Sequence, residues 1–343
     1  MPCGAFSLTK LYSVDEEVPQ VGAVIRPYGE DDMHKYLASV GFSEIRTRKE
    51  VTKLIKEIVE NYDEKYTIPN YDDGAYVEYI KYYSQNKNLG VSVCGQFDNL
   101  GKYHVEFYYP FLKGTKITTN MPLTVEMHYD KTSYAAACDD LRLGVTLIYY
   151  LQRPAEYMLL HQTLGDVDNP IPMVLTGLAY EGHILFPVEK DKEEVIEEQE
   201  QSKKKSELMA AAMDGDEDAI ETLTKDEMET YTMISERIQS DDVFTIVDSY
   251  FMPYGIECDQ YNVMGEILHL EYCMNQLTGE ELVNMTVDCN DIQFDILINK
   301  NELFGEPKVG RRFKGVIWLQ GRIDYASLPK GDAVVSTDES SNT

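Results

Sequence analysis

The spacing of apolar residues changes character several times along this chain. Near the start it is helical. Acids open the segment Asp31 to Val40, and Gly41 follows in a place suited to the left-handed end of a helix. Thr47-Arg48-Lys49-Glu50 has the form of a capping box, and Val51, Leu54, Ile55, Ile58 and Val59 then recur on one helical face. From Ala75 the period falls to two. Tyr76–Tyr83, Gly90–Gln96, Tyr103–Phe111, Leu123–Asp130, Gly144–Gln152 and Leu175–Phe186 read as strands, with a short helix expected around Tyr134–Asp140. Short Gly-, Asn- and Pro-containing connections favour antiparallel pairing. Residues 1–188 are therefore expected to form an α+β domain, an antiparallel sheet with helices on one face.

The pattern breaks at Glu189. Residues 189–242 hold 19 acids and 7 bases, which predicts an acidic helical linker followed by a hairpin. Its first helix, Glu207–Met213, stops at Gly215, and Thr224-Lys225-Asp226-Glu227 reads as a second capping box opening a helix to Ile238. After Asp242 the period returns to two, in Val243–Met252, Asn262–Asn275, Leu282–Asp288, Ile292–Asn299 and Arg312–Tyr325. Five strands in residues 243–326 suit a small five-stranded β-barrel of the OB-like kind, although other five-stranded barrels or sandwiches fit the same pattern. Residues 327–343 read as a disordered tail.

Charge narrows the choice of partners. A net charge of −29 opposes generic binding to nucleic acid or anionic lipid. That charge is uneven: Ile238 to Asn299 contains no Lys or Arg, whereas Lys300 to Lys330 contains seven bases and three acids. Six scattered cysteines without a C-x-x-C pair predict reduced thiols and a cytoplasmic protein. The N-terminus has no secretory pattern, and no apolar run approaches the roughly 20 residues of a membrane span. With 25 Tyr against 11 Phe and one Trp, half-buried aromatic faces are expected.

Few side chains are spaced for chemistry. There is no phosphate loop, dinucleotide fingerprint, G-x-S-x-G or H-E-x-x-H, and no cofactor is expected. Asp214, Asp216 and Asp218 have the alternation of a calcium loop, but Ala219 and Lys225 stand where that loop needs Gly and Glu, so the acids read as helix N-terminal charges. If Tyr103–Phe111 pairs with Leu123–Tyr129, then Glu106 faces His128 and His104 faces Asp130. Such carboxylate–imidazole pairs could orient a general base or hold a metal, or form the wet face of an ordinary hairpin. On the last strand Arg312, Lys314, Trp318 and Arg322 share a face. A Trp among cations can stack a base and hold its phosphates, or can be seated under aliphatic stems. His269 and Cys273 share a strand face without further ligands. Cys94 with His104 could be nucleophile and base, against the plainer reading of a buried thiol.

Two runs carry a resemblance. Asp248-Ser249-Tyr250-Phe251-Met252-Pro253-Tyr254-Gly255-Ile256-Glu257-Cys258 and Val309-Gly310-Arg311-Arg312-Phe313-Lys314-Gly315-Val316-Ile317-Trp318-Leu319-Gln320-Gly321 resemble a family of uncharacterised bacterial proteins classed as a domain of unknown function. The resemblance implies a bacterial, cytosolic protein and brings no activity, cofactor or catalytic residue. The expected function is a non-enzymatic binding or scaffold protein with a protein partner. One alternative is single-strand nucleic-acid binding through the last strand. The other is an enzyme using the Glu/His sheet face.

Overall fold

The capping box at Thr47 starts a helix as its sequence requires. Thr47 Oγ1 accepts from the Glu50 N–H at 3.3 Å, and Glu50 Oε2 accepts from the Thr47 N–H at 2.9 Å. Val51, Leu54, Ile55, Ile58 and Val59 are its buried face. The structure, a computed structural model, describes residues 32–71, 74–127, 133–140, 142–143, 145–164, 171–188, 247–255 and 258–325, with short stretches between 203 and 225. The helices include α1 (Asp32–Ser39), α2 (Arg48–Glu60) and α3 (Pro154–Leu164), with a further helical segment at residues 217–225. The first nine strands are β1 (Glu64–Tyr71), β2 (Gly74–Tyr82), β3 (Leu89–Phe97), β4 (Tyr103–Leu112), β5 (Thr119–Met121), β6 (Thr124–Met127), β7 (Tyr134–Asp140), β8 (Val145–Leu151) and β9 (Ile171–Leu185). The remaining six are β10 (Tyr250–Pro253), β11 (Gln260–Met274), β12 (Glu281–Cys289), β13 (Ile292–Asn299), β14 (Leu303–Phe304) and β15 (Arg312–Ile323).

These strands form two sheets. β1 to β4 make an antiparallel sheet in sequence order. The others make an eleven-stranded mixed sheet, β10-β11-β12-β13-β9-β15-β8-β7-β6, with β5 and β14 both paired to β9. Parallel ladders join β13 and β14 to β9, and β15 to β8.

This overturns the expected fold class. The protein is predominantly β rather than α+β, and the C-terminal strands do not close a small OB-like barrel of their own. They belong to the large sheet, where β9 lies between β13 and β15. A further ladder between β11 and β15 turns the sheet back on itself, but that ring includes β9 and leaves β10 outside. The physical reason lies in β9. Ile171 through Ala179 are all buried, the condition of a central strand covered on both faces. Close packing runs on to Gly182, where a Cβ would collide with the Phe313 ring.

Local expectations fared unevenly. Gly41 takes φ +88° after α1, as a helix-ending glycine should. Tyr134–Asp140 is strand β7 rather than a helix, paired to β6 and β8. The helix α3 has no counterpart in the expected elements, although Pro154 sits at its first position, where proline is favoured. Residues 217–225 are helical and run through Thr224, whose hydroxyl bonds back to the Ile220 carbonyl at 2.9 Å. Asp216 is the cap instead, its Oδ1 accepting from Asp218 N and Ala219 N. The rest of the expected second hairpin helix, 226–238, lies outside the described residues, as does the expected tail. Among the described residues no helix is long and apolar enough to cross a membrane.

The two sheets meet across a shared core. Ser39 of α1 donates to the Ala179 carbonyl of β9 at 2.8 Å, and Asn275 donates to the Val40 carbonyl at 2.8 Å. The Trp318 indole packs against Tyr36 of α1 and Tyr150 of β8, with ring centroids 5.2 and 4.9 Å apart. α2 packs on β2 and β3, and α3 on β1 and β2. Both faces of β2 are thereby covered, and its residues Tyr76 to Ile80 are all buried.

Candidate functional site

The first sequence candidate does not assemble. β4 pairs with β3 and β6 pairs with β7, so the hairpin that would have set Glu106 against His128 is not formed. His128 and Asp130 lie outside the described residues. His104 Nε2 meets Asp98 Oδ2 at 2.7 Å instead. Asp98 also accepts from the Leu100 and Lys102 amides, so the pair closes the β3–β4 turn. Glu106 is the extra residue of a bulge, since Val105 pairs with Gly95 and Phe107 with Cys94. That bulge breaks the alternation on which a shared His104 and Glu106 face depended.

The last strand divides. Trp318 is 4% exposed and donates its indole N–H to Asp259 Oδ2 at 2.8 Å, so it offers no stacking platform at the surface. Arg312 is buried, and its guanidinium holds two carbonyls, Phe186 at 3.0 Å and Val247 at 2.8 Å. It thus ties together both ends of the acidic segment that leaves after β9 and returns before β10. Lys314 is half-buried. Arg322, at the strand end, faces a different environment, described below. His269 is exposed and Cys273 half-buried on β11. Among the described residues no three His, Cys, Asp or Glu side chains gather as a metal site. Cys94 is fully buried beside Ser92, and burial pushes its thiol well above the ordinary range.

The richest polar cluster lies in the seam between the sheets. Its scaffold is Gln152, whose Nε2 donates to the Leu112 carbonyl, Thr176 Oγ1 and Gln320 Oε1 at 3.1, 3.3 and 2.8 Å. Gln320 Nε2 in turn donates to the Pro110 carbonyl at 2.9 Å. The Gln152 amide also bonds the Gly321 carbonyl at 2.8 Å. The ends of β4, β8 and β15 are therefore stitched together, and the residues just beyond the stitches are Lys113, Arg153 and Arg322. Alternation places Arg322 on the Trp318 and Gln320 side of β15, toward the seam.

Arg153 is the centre of an ion-pair network. It precedes Pro154, which disfavours right-handed helical geometry, and it takes φ +59°. A left-handed non-glycine residue is uncommon and marks a site whose surroundings hold it in place. Those surroundings are explicit. Arg153 N donates to Tyr109 Oη at 2.9 Å, Nη1 to Glu64 Oε2 at 2.8 Å and Nη2 to Tyr82 Oη at 2.5 Å. Glu156 lies 3.6 Å from Nη1, and the guanidinium stands 5.4 Å from the Tyr66 ring centre. Glu64 accepts further bonds from Tyr66 and Tyr82. Burial works to raise the Glu64 carboxyl, but the charge and hydrogen bond of Arg153 prevail and hold it below the ordinary range.

Beneath this network lies Glu78, fully buried. It accepts from Ser92 Oγ at 2.7 Å, Tyr109 Oη at 2.8 Å and the Ala155 amide at 3.3 Å. Burial raises its carboxyl above the ordinary value of 4.5. The sign of the effect on stability follows. At low pH the carboxyl is protonated in both states and contributes no difference. Above about pH 4.5 the unfolded chain releases a proton that the folded chain still holds, so this group turns against folding as pH rises. Glu78→Gln removes that term. The variant should therefore gain stability relative to the native protein as pH rises from about 4 to 7. Urea midpoints measured in parallel across that range check this; a difference that stays constant with pH contradicts it.

Lys113 and Arg322 complete the cluster. Lys113 is exposed and Arg322 half-buried, and among the described residues neither side chain has an ion-pair partner. Arg322 Nε is itself buried without a hydrogen-bond partner among the described residues. The Lys113 ammonium is held below the ordinary lysine range, by partial burial first and then by positive Arg322 and Arg153. Nothing in the sequence around Lys113 sets it apart, since its place depends on a side-chain stitch between distant strands.

No curated protein and no solved structure matches the chain. The two runs that carried the resemblance, residues 248–258 and 309–321, both fall within the region matched by a family model. That match covers residues 37–321, most of the chain, and the protein belongs to DUF3881, a bacterial domain-of-unknown-function family described by reference to an E. rectale gene.

Proposed function

We propose that this is a non-enzymatic binding protein whose ligand contacts the rim of the seam between the two sheets. One observation carries the reading: the carboxyl, thiol and phenol groups deepest in the seam are buried or committed to one another, and the outward-facing groups at its rim are two cations suited to holding a ligand. Glu78 and Cys94 are fully buried, Tyr109 is buried, and Arg153 is committed to Glu64, Glu156 and Tyr82. Lys113 and Arg322, which have no ion-pair partner among the described residues, stand at the edge of that network. A cytoplasmic location belongs to the same reading and is supported by the thiols of Cys94, Cys138, Cys273 and Cys289, which form no disulfide among the described residues.

The test is a ligand screen by thermal shift on purified protein, with each stabilising compound recovered and analysed after incubation. The expected result is a saturable rise in Tm with the compound returned unchanged. Conversion of the compound by the native protein, lost in Arg153→Met or Arg322→Gln, would replace binding with catalysis.

A further inference from the structure

The chemistry of the rim identifies the class of ligand. We infer that Lys113 and Arg322 form a receptor for a small oxyanion group, a phosphate or carboxylate carried by the ligand. This deepens the binding reading above and rests on it.

Charge matching is the first support. In a chain of 60 acidic residues against 31 basic ones, Lys113 and Arg322 still have no ion-pair partner among the described residues, and their strand ends meet at the same seam. The nearby carboxylates answer them only in part: Glu64 and Glu156 attract the Lys113 ammonium, but Glu64 is bonded to Arg153, Tyr66 and Tyr82, and Glu156 also faces Arg153. Glu78, the third acid of the cluster, is buried beneath and faces Ser92, Tyr109 and Ala155.

Geometry is the second. A lysine or arginine on a mobile loop can swing away from a like charge, but these two cannot move far apart at their backbones. Lys113 N is bonded to the Asn88 carbonyl at 2.6 Å, and the preceding Leu112 carbonyl is held by Gln152 and Thr176. Arg322 sits in the β15 ladder opposite Val174. The fold thus keeps two like charges near one another. An oxyanion relieves that cost, because it can accept from the guanidinium and the ammonium together.

The experiment uses the full chain with inorganic phosphate and acetate as separate probes, at low ionic strength so that half-exposed charges are not screened. Tm is recorded against probe concentration for the native protein, Lys113→Ala, Arg322→Gln and Lys56→Ala. Lys56 is an exposed lysine of α2 paired with Glu60, so its variant loses one positive charge away from the rim. The expected result is a saturable Tm rise with at least one probe in the native protein and Lys56→Ala. Half-saturation should move up about tenfold or more in each rim variant, the scale of a lost charge-assisted hydrogen bond. Which probe works separates a phosphate from a carboxylate ligand. Two results overturn the inference: no saturable shift with either probe, or equal shifts in all four proteins, the mark of a general salt effect. A rim variant that fails to fold is replaced by Lys113→Gln or Arg322→Met, both of which keep an unbranched stem and remove the charge. Failure with both anions, alongside a neutral compound that binds saturably in the wider screen, would discard the oxyanion assignment and leave the binding reading intact.

Discussion

Replacing Trp318 by alanine will destabilise the protein by about 3–5 kcal/mol, the cost of emptying a large buried aromatic site. The indole is 4% exposed and wedged between Tyr36 of α1 and Tyr150 of β8, so its removal leaves a void where helix and sheet meet. The loss is compounded at Asp259. That residue is also buried, and its Oδ2 would lose the indole N–H donor. Trp318→Phe keeps most of the volume but not the donor and should fall between the two. Chemical denaturation of all three proteins measures this. A loss below about 1 kcal/mol for the alanine variant would mean that the indole is solvent-exposed, as a nucleic-acid stacking platform would be.

The second large effect belongs to Arg153. Arg153→Met keeps an unbranched stem but withdraws the charge from Glu64 and Glu156 and the donor from Tyr82. Removing one side of a buried ion pair typically costs about 3–5 kcal/mol; Glu64 is partly exposed and can be rescued by water, so a value near the lower limit is expected. The pH profile distinguishes this from simple loss of packing. Arg153 is what holds the Glu64 carboxyl below its ordinary range, so its contribution is present above the unfolded value of 4.5 and disappears as pH falls through the lowered folded value. The gap between native and Arg153→Met proteins should therefore narrow in acid. A gap independent of pH would assign the loss to packing alone.

Much of the strand content was legible in the sequence. Period-two alternation located β2, β3, β4, β8 and β11 to β13 to within a few residues, because each has at least one covered face. β1 was missed: Pro69 interrupts a short run at the sheet edge, where fewer positions need be apolar. Helix α3 was missed for the opposite reason. Pro154-Ala155-Glu156-Tyr157-Met158-Leu159-Leu160 is apolar on too many sides to show a helical stripe. Order was the larger failure. Alternation says which face of a strand is covered but not which strand covers it, so five regular C-terminal strands looked self-sufficient. The one available signal was the near-continuous apolar run of β9, which marks a strand with neighbours on both sides.

The site divides along the same line. Arg322 was visible as one of several cations on the last strand, but its neighbours were not. Arg312 and Trp318 share its alternation and are buried by elements far away in sequence, Val247 and Tyr36 among them. Glu78, Arg153 and Lys113 have no local signature. They come together because the Gln152 side chain bonds three different strands, a contact no periodicity encodes. The proposed Glu106–His128 face failed through register: a bulge at Glu106 and membership of β4 and β6 in different sheets.

The seam's rim is proposed to bind a ligand through Lys113 and Arg322, two cations with no ion-pair partner among the described residues. Calorimetric titration with the preferred anion, inorganic phosphate or acetate, tests it most directly, comparing the native protein with the Lys113→Ala, Arg322→Gln double variant under identical low-salt conditions. A single-site isotherm in the native protein and no measurable heat in a folded double variant is the predicted outcome. The same isotherm in both proteins would contradict it.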